Sequence, residues 1–379
     1  MTAATATCLK IRGDAKELAE AVSTVASVAP SKSPRPILQN LLIDAHDGVL
    51  EVTGTDLDVS IKARVEQVEV LAEGRILVNA SRFQQILREL IGEQVEIETD
   101  ERAGCIITTG DSRFHVMGED PDDYPEFGSW PEQGTIKLKA GHLIEMVRRT
   151  HFAAHPEKTR YAMNGILLDI KDKRLRLVAT DGKRLALFER ALDFKTDKPV
   201  FVVVPTKGMT LLQRVLTQGE EFVEVAVEAS QVQMRTAHAT VSARLIEGHF
   251  PPYEDVLPEP YDHKLSVNRE AFLAALRRAS LLGTKDSKAV RFQFSREGLQ
   301  LTSRVPEVGE SRVTYPLDFP FEAVEIGFNP GYFADALKVL DTTEFGLEVK
   351  DPTSAAVIRE ADELGSLFVY LVMPLNLGA

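Results

Sequence analysis

The feature that most constrains the fold is a hairpin phrase that occurs three times in the 379 residues. Its middle copy, residues 175–187, reads LRLVATDGKRLAL, with two alternating apolar runs on either side of Thr-Asp-Gly. Asp-Gly between two apolar runs is a strong signal for a β-hairpin. The other copies begin at Leu50 and Leu299, 125 residues before and 124 residues after Leu175. The spacing predicts three copies of one unit.

A second phrase, an apolar strand followed by a helix, has the same period. Its copies end at Leu90, Leu216 and Leu340, which are 126 and 124 residues apart. A period of this length exceeds that of solenoid repeats, so each copy is predicted to be a domain. We place the domains at residues 1–130, 131–260 and 261–379. Each is predicted to be α+β, with two helices covering one side of antiparallel sheet.

Hydrophobic periodicity and capping residues give the approximate position of the helices. Helices are predicted over residues 14–28, 80–90, 140–154 and 268–282, with two more in the second and third strand-helix phrases. Asp14 is placed to cap the first of them. Two linkers rich in proline and acidic residues, GEDPDDYPEFGSWPEQG and HFPPYEDVLPEPYDHK, separate the domains.

Composition indicates the compartment. The apolar runs are too short to span a membrane, and the N-terminus lacks the basic and apolar regions of a signal peptide. Cys8 and Cys105 are therefore expected to be reduced thiols in a cytoplasmic protein.

The sequence offers no catalytic constellation and no nucleotide-binding glycine loop. His151 and His155 have i,i+4 spacing, but they lack the glutamate and third ligand of a zinc helix, so two solvated histidines are the better interpretation. Asp120, Asp122 and Asp123 resemble half a calcium loop, without the glycine and the closing glutamate in register. We expect no metal, no cofactor and no enzymatic activity.

Charge is unevenly distributed. The formal net charge is −13, which on its face argues against a nucleic-acid partner. The six predicted helices nevertheless sum to +4, which leaves −17 for the rest of the chain. If the helices share one surface, that surface is electropositive on an acidic body. Ordinary solvated helix faces explain the same charges equally well.

Several motifs together resemble one family. They are TGTD in the first unit, RYAMNGILL and ATDGKRLAL in the second, the linker segments DDYPEF and FPPYEDVLP, and VMPLNL near the end. In this order they resemble the bacterial DNA polymerase III β subunit family, the sliding clamps, over essentially the whole chain. The resemblance implies a head-to-tail homodimeric ring that encircles duplex DNA without sequence preference and tethers the replicative polymerase as a processivity factor. The resemblance also implies that the six helices of each subunit line the central hole of the ring.

The resemblance also implies sites. A hydrophobic pocket for short peptides with Gln and Leu/Phe anchors, carried by the polymerase, the clamp loader and other proteins, is implied at Met163, Thr180, Gly182, Lys183, Arg184, Leu185, Pro251, Val256, Val372, Met373, Pro374 and Leu375. Cations expected to face DNA are Lys32, Arg35, Arg82, Arg148, Arg149, Lys207, Arg214, Arg277 and Arg278. Subunit contacts are expected from Phe114 and Val116 of one subunit to Leu281 and Leu282 of the next.

The pocket departs from the family pattern at three positions. Lys183 stands where the family often has histidine, Asp255 where arginine is frequent, and Ala162 where an aromatic residue is common. These differences concern the polar rim of the pocket and its peptide preference.

Two rival functions stay open at this stage. A triplicated peptide-binding adaptor that never encircles DNA would account for the net charge of −13. An enzyme acting on nucleic acid would need a carboxylate cluster for Mg²⁺, which the sequence does not display.

Overall fold

The computed structural model describes residues 9–100, 104–131, 134–157, 161–196, 198–216, 221–261, 264–283, 289–306, 308–362 and 365–376. Cys8 lies outside these residues. The chain forms two compact units, Met1–Leu143 with Lys207–Leu245 (unit 1) and Ile144–Thr206 with Ile246–Ala379 (unit 2).

Among the described residues, the first repeat contains two helices and ten strands. They are β1 (Lys10–Asp14), α1 (Ala15–Ala26), β2 (Asn40–His46), β3 (Val49–Thr55), β4 (Val59–Val65), β5 (Val68–Ala72), β6 (Gly74–Asn79), α2 (Ala80–Glu89), β7 (Gln94–Thr99), β8 (Cys105–Thr108), β9 (Arg113–Val116) and β10 (Gly118–Glu119).

In the part of the second repeat that the structure describes there are two helices and eight strands. They are β11 (Thr135–Lys139), α3 (Ala140–Thr150), β12 (Gly165–Lys171), β13 (Arg174–Thr180), β14 (Arg184–Ala191), β15 (Val200–Pro205), α4 (Thr206–Leu216), β16 (Phe222–Val227), β17 (Gln231–Arg235) and β18 (Ala239–Arg244).

The third repeat has the same element order as the second. Its elements are β19 (Lys264–Asn268), α5 (Arg269–Ala279), β20 (Val290–Ser295), β21 (Gly298–Val305), β22 (Gly309–Tyr315), β23 (Val324–Phe328), α6 (Pro330–Leu337), β24 (Glu344–Glu348), β25 (Ala356–Ala361) and β26 (Leu367–Val372).

Local sequence explains where the helices begin and end. Asp14 caps α1, accepting a hydrogen bond from the Lys16 amide at 2.8 Å, as predicted. Asn79 and Asn268 cap α2 and α5 in the same way. The predicted helix ends are up to four residues too long; α3 ends at Thr150, where the next three residues form a 3₁₀ turn.

The described residues of unit 1 form two antiparallel sheets. One has five strands in the order β5-β1-β7-β8-β9, and the other has nine in the order β10-β6-β2-β3-β4-β18-β17-β16-β11. The nine-stranded sheet joins the first two repeats, because β4 pairs with β18 from Val59 opposite Ala243 to Ala63 opposite Ala239. Helix α1 packs closely on this sheet: a side chain at Gly54, in the TGTD motif, would meet Val25 at 2.8 Å.

Unit 2 also contains two antiparallel sheets. An eight-stranded sheet has the order β15-β12-β13-β14-β26-β25-β24-β19, and a four-stranded sheet has the order β22-β21-β20-β23. The larger sheet joins the second and third repeats, because β14 pairs with β26 from Arg184 opposite Val372 to Glu189 opposite Leu367. We call the β4–β18 pairing the first joint and the β14–β26 pairing the second joint.

Candidate functional site

The predicted hairpin turn lies at the end of the second joint. The Thr180 hydroxyl accepts a hydrogen bond from the Gly182 amide at 3.1 Å and donates to the Arg184 carbonyl at 2.6 Å. The Asp181 carboxylate accepts from the amides of Lys183 and Arg184 at 2.9 and 3.1 Å. Gly182 has φ of +82°, as the Asp-Gly motif predicted. The turn is therefore fixed by side chains of its own residues.

Arg184, at the start of β14, is held on several sides. Its guanidinium contacts Asp181 at 3.0 Å, Asp335 at 2.8 Å and the Phe152 carbonyl at 2.7 Å. It also lies over the Tyr332 ring, 4.6 Å from the centroid. Because every nitrogen of the guanidinium is engaged and the side chain is largely buried, Arg184 forms a rigid border rather than a mobile charge.

An apolar cluster lies beside this turn, on one face of the eight-stranded sheet. We call it the outer-face cluster; its buried members are Ala162, Leu167, Val178, Leu185, Leu187, Val203, Phe250, Tyr253, Val357, Val369 and Leu371. Two of the predicted pocket residues, Met163 and Pro251, are chain neighbours of Ala162 and Phe250. Leu185 belongs to the cluster itself.

The end of the chain borders the same cluster. The Met373 amide donates to the Lys183 carbonyl at 2.9 Å, which continues the β14–β26 ladder by one residue. Met373 is 44 % exposed and Val256 is also exposed, whereas Val372 is fully buried. Met373 and Val256 are thus accessible, whereas Val372 pairs with Arg184, faces away from Leu185 and Leu371, and supports the cluster only from the other side of the sheet. Pro374 and Leu375 follow in half-buried positions.

The second linker is tied to the sheet by an ionic network next to the cluster. The Tyr253 hydroxyl donates to Asp169 at 2.7 Å, and Arg176 bonds Tyr253 at 3.0 Å and Glu254 at 2.7 Å. Arg176 also contacts Glu189 at 2.5 Å. Burial, together with the hydrogen bond to Asp169, raises the pKa of Tyr253, so this hydroxyl stays protonated and donates. The linker segment that carries Pro251 and Val256 is fixed in place.

Three side chains at this site were missed by the sequence interpretation. Phe152, Tyr332 and Asp335 contact Arg184, although 32 to 151 residues separate them from it in the chain. Comparison of the repeats offered a signal: Tyr332 and Asp335 occupy helix positions that hold Gly208 and Leu211 in the second repeat. The altered rim residues Lys183 and Asp255 are exposed, and Ala162 is buried.

The predicted DNA-facing cations differ in exposure. Seven are exposed: Lys32, Arg35, Arg82, Lys207, Arg214, Arg277 and Arg278. Lys207 also forms an ion pair with Asp56. Arg148 is half-buried and bound to Asp341, and this contact lowers the pKa of the Asp341 carboxyl.

Arg149 does not suit the role that the sequence suggested. It is only 8 % exposed, pairs with Glu360 at 2.8 Å and with Glu145 at 3.4 Å, and lies over the rings of Phe188 and Phe368. A guanidinium with these partners cannot reach a phosphate. We therefore remove Arg149 from the candidate DNA contacts and assign it to the structure of unit 2.

The predicted subunit contacts lie at the edges of two sheets. Phe114 and Val116 belong to β9, the last strand of the five-stranded sheet. In unit 2, Leu281 is 78 % exposed just after α5. Leu282 lies beside the edge strand β22, since a Cβ atom at Gly309 would be 3.5 Å from Cδ1 of Leu282. Within the described residues, neither β9 nor β22 has a partner on its outer side.

The residues weighed as metal ligands have other partners. Nδ1 of His151 lies 2.9 Å from the Val147 carbonyl, and Asp120 caps a short 3₁₀ turn. Asp122 pairs with Arg75 at 2.6 Å. Among the described residues, no three His, Cys, Asp or Glu side chains converge as a metal site. Burial raises the pKa of the Cys105 thiol to about 12. None of the described helices is long and apolar enough to cross a membrane.

Three α+β repeats joined edge to edge, with an apolar cluster at one joint, are the architecture of a sliding clamp. Comparison with known families agrees. Residues 9–128, 137–252 and 254–376 match the N-terminal, central and C-terminal domains of the DNA polymerase III beta subunit. The chain belongs to this family, the beta sliding clamps, which are non-catalytic processivity subunits known to form dimeric rings. DNA and the polymerase are the partners of the family.

Relatives resemble the chain over nearly its full length. The beta sliding clamp of Pseudomonas putida is 32 % identical over 361 residues, covering 95 % of this chain and 98 % of the relative. A sliding clamp structure from Bartonella birtlesii has a TM-score of 0.90 at 29 % identity, covering 98 % and 100 %. One from Pseudomonas aeruginosa has a TM-score of 0.89 at 30 % identity, covering 97 % and 100 %.

Proposed function

We propose that the outer-face cluster of unit 2, bordered by the turn and by the chain end, binds short peptides of the polymerase, the clamp loader and other partners. The pocket residues are Met163, Thr180, Gly182, Lys183, Arg184, Leu185, Pro251, Val256, Val372, Met373, Pro374 and Leu375. One observation carries the proposal: the second joint brings a rigid polar turn and an exposed methionine to one apolar floor.

The chemistry of this pocket matches a peptide with apolar anchors. Leu185 and its cluster neighbours offer a dry floor, and Met373 is unbranched and adapts to different side chains. Each buried anchor would contribute about 1.5–3 kcal/mol by the area removed from water. Exposed Asp255 at the rim disfavours acidic groups directly beside the anchors, whereas Lys183 favours them.

Truncation of the chain end tests this pocket. Deleting Met373–Ala379 removes one wall and the bond from the Met373 amide to the Lys183 carbonyl. We expect affinity for a polymerase-derived Gln-Leu-Phe peptide to fall more than about tenfold, the value of one missing anchor of about 1.5 kcal/mol. Calorimetric titration measures it.

The matched control for this truncation is Met373→Leu. It keeps the volume and apolar character of the side chain and should bind within a few-fold of the parent. The truncated protein should keep the dimeric assembly of the parent, since the proposed subunit contacts lie elsewhere. Undiminished peptide affinity after truncation would place the pocket at another site.

We further propose that this chain closes its own ring through β9 and β22, with the three domains bounded at 1–130, 131–260 and 261–379. At both joints the second hairpin strand of one repeat pairs with the last long strand of the next. Applied to the third repeat, this rule pairs β22 with β9 of a second copy. Two such contacts related by a two-fold axis close a ring and leave neither edge exposed.

The proposed contact of this ring with DNA is electrostatic. We retain as candidates Lys32, Arg35, Arg82, Arg148, Lys207, Arg214, Arg277 and Arg278. A ring held on its duplex by topology needs only weak, sequence-blind phosphate contacts, and an acidic exterior limits other DNA contacts. We expect the protein to do this in the cytoplasm, with the polymerase.

Salt dependence tests the DNA contacts. Arg82→Gln with Arg277→Gln and Arg278→Gln should weaken association uniformly across sequences and lower the slope of log K against log salt by about 0.9 for each phosphate interaction that is removed. Retention on nicked circular DNA measures it. Arg296→Gln, on the β20–β21 turn, is the control and should leave the slope unchanged. An altered sequence preference with an unchanged slope would contradict the proposal.

A further inference from the structure

The β12–β13 hairpin turn, at the far end of β13 from the peptide pocket, borders a second cavity. It has a volume of about 440 Å³ and is lined by Asp169, Lys171, Asp172, Lys173, Arg174, Arg176 and Glu254. Arg174 and Thr180 are the two ends of β13, so about 20 Å separates this cavity from the pocket at the usual strand rise. Both sites belong to unit 2.

The carboxylates of this cavity are already neutralised by neighbours. Asp169 accepts from Tyr253 and lies 3.9 Å from Arg176, which also pairs with Glu254 at 2.7 Å. Asp172 lies 3.5 Å from Lys195. The negative charges therefore belong to the network that holds the second linker.

The cations of the cavity are not neutralised to the same degree. Lys171 and Lys173 are exposed and form no ion pair within the described residues. Arg174 is exposed, and its one ion pair within that part of the chain is a distant contact of 3.7 Å with Glu189. Three cations thus face one cavity with spare charge, in a chain whose formal net charge is −13.

The repeats show that the fold does not require these cations. Lys171 opposite Arg174 is the last pair of the β12–β13 hairpin; the corresponding pairs are His46 opposite Val49 and Ser295 opposite Gly298. The turns therefore read KDKR in the second repeat, HDGV in the first and SREG in the third. Two copies form the same hairpin without the cations, so the hairpin does not need the charge of the middle copy.

The neighbouring edge strand differs in the same repeat. Phe201 of β15 lies opposite Asp169 and is 58 % exposed, whereas the corresponding residues are Arg75 and Glu325. In the first repeat, Arg75 is occupied by Asp122 of the first linker. In the second repeat this place presents an apolar ring beside the cationic cavity, and no described residue of the linker pairs with it there.

We propose that this cavity is a second docking subsite, which binds acidic side chains of a protein partner whose anchor peptide is held in the pocket. The proposal rests on the proposed peptide-binding function. A protein partner is favoured over a nucleic acid, because the cavity lies about 20 Å from the pocket along β13, within reach of a chain whose anchor is bound there. The spacing also keeps the acidic group away from Asp255 at the pocket rim.

An extended peptide tests the subsite. The probe is a Gln-Leu-Phe anchor peptide joined through about six Gly/Ser residues, which can span about 20 Å, to four glutamates, placed at either end in separate peptides. The reference peptide carries four glutamines instead. At low ionic strength we expect the glutamate peptide to bind about five- to tenfold more tightly than the reference, and the gain to shrink as salt is added.

Variants of the clamp locate the gain. Lys171→Gln with Lys173→Gln and Arg174→Gln should abolish the difference between the two peptides while binding the reference peptide normally. Lys16→Gln with Lys139→Gln and Arg296→Gln removes the same charge from other elements and should keep the difference. A gain that is absent in the parent protein, or one that persists in the cavity variant, would overturn the subsite.

Two further arms separate failure of the subsite from failure of the pocket. The unextended anchor peptide tests the pocket alone. Free tetraglutamate, titrated at low ionic strength, should perturb the side-chain NMR signals of Lys171, Lys173 and Arg174 in the parent, and should shift the backbone amide signals of the β12–β13 turn in the parent but not in the cavity variant, whether or not the anchor binds. Equal competition by a short single-stranded oligonucleotide would instead indicate a nucleic-acid contact and would overturn the proposal.

Discussion

The same type of turn occurs at both joints between repeats but has a different role at each. At the first joint, the Leu57 amide bonds the Thr55 hydroxyl at 2.9 Å, and Asp56 accepts from Asp58 and Val59 at 3.0 and 2.8 Å. The second joint repeats this pattern at Thr180–Arg184. Threonine and aspartate are common to both, so they serve the fold.

The other turn residues differ between the joints. Leu57 and Val59 of the first joint correspond to Gly182 and Arg184 of the second. Arg184 connects the turn to α6 through Asp335, while at the first joint Lys207 of α4 reaches Asp56. The ladder and the turn thus build both joints, and the residues that differ between the two turns distinguish the joint at which we propose peptide binding.

The largest expected effect concerns a third joint, formed between subunits. Leu281→Ala with Leu282→Ala should remove about 2 kcal/mol per side chain if both are central to the contact, and so weaken dimerisation more than about hundredfold. Analytical ultracentrifugation at low micromolar concentration should show soluble monomers. Leu257→Ala, in the second linker, is a control that should stay dimeric. If the double variant is still dimeric, the strand-pairing rule of the two joints does not extend to the contact between subunits.

A smaller effect should distinguish the two linkers. Tyr253→Phe removes a hydrogen bond to the Asp169 carboxylate, so unit 2 should lose about 1.5–3 kcal/mol of its free energy of unfolding. Tyr124→Phe removes a bond of 3.1 Å to the neutral Asn40 carbonyl, so unit 1 should lose about 0.5–1.5 kcal/mol.

Urea titration followed by amide hydrogen exchange resolves the two units in this experiment, which a single unfolding curve does not. Each tyrosine variant is the control for the other, because it changes the same group at the corresponding place. Equal losses in both units would mean that the ionic network adds nothing to the second linker.

The smallest effect concerns the turn backbone. Gly182→Ala places a methyl group in open space but keeps φ at +82°, so it should destabilise unit 2 by about 1–2 kcal/mol. Leu57→Gly relieves a φ of +77° but makes the unfolded chain more flexible, so unit 1 should change by less than about 1 kcal/mol. The same exchange measurement applies. A neutral Gly182→Ala would show that the Asp and Thr hydrogen bonds alone determine the turn.

Much of the fold could be predicted from local pattern. The three hairpins, the cap at Asp14 and the positive φ at Gly182 were predicted, because turn and cap preferences depend on a few neighbouring residues. The period also indicated the repeats. Helix ends were less accurate, because an α-helix can pass into a 3₁₀ turn, as after Thr150, while the apolar spacing continues.

Contacts between distant segments could not be predicted in this way. No local pattern shows that β4 pairs with β18 or that β14 pairs with β26. For the same reason the buried position of Arg149 escaped the sequence, since its partner Glu360 lies 211 residues away. The pocket residues came from resemblance, and their roles as peptide contacts stay predictions.

The two linkers have a mechanical consequence for the proposed ring. Both joints within the chain are tethered by the backbone, so an opened strand pair faces its partner at a high effective concentration and closes again at once. An opened joint between subunits is tethered only through the other subunit joint, around the whole ring, so its two edges face each other at a lower effective concentration. A loader that opens the ring would therefore meet least resistance at a joint between subunits. These joints would be held closed by the pairing of four strand edges in the dimer, two copies each of β9 and β22.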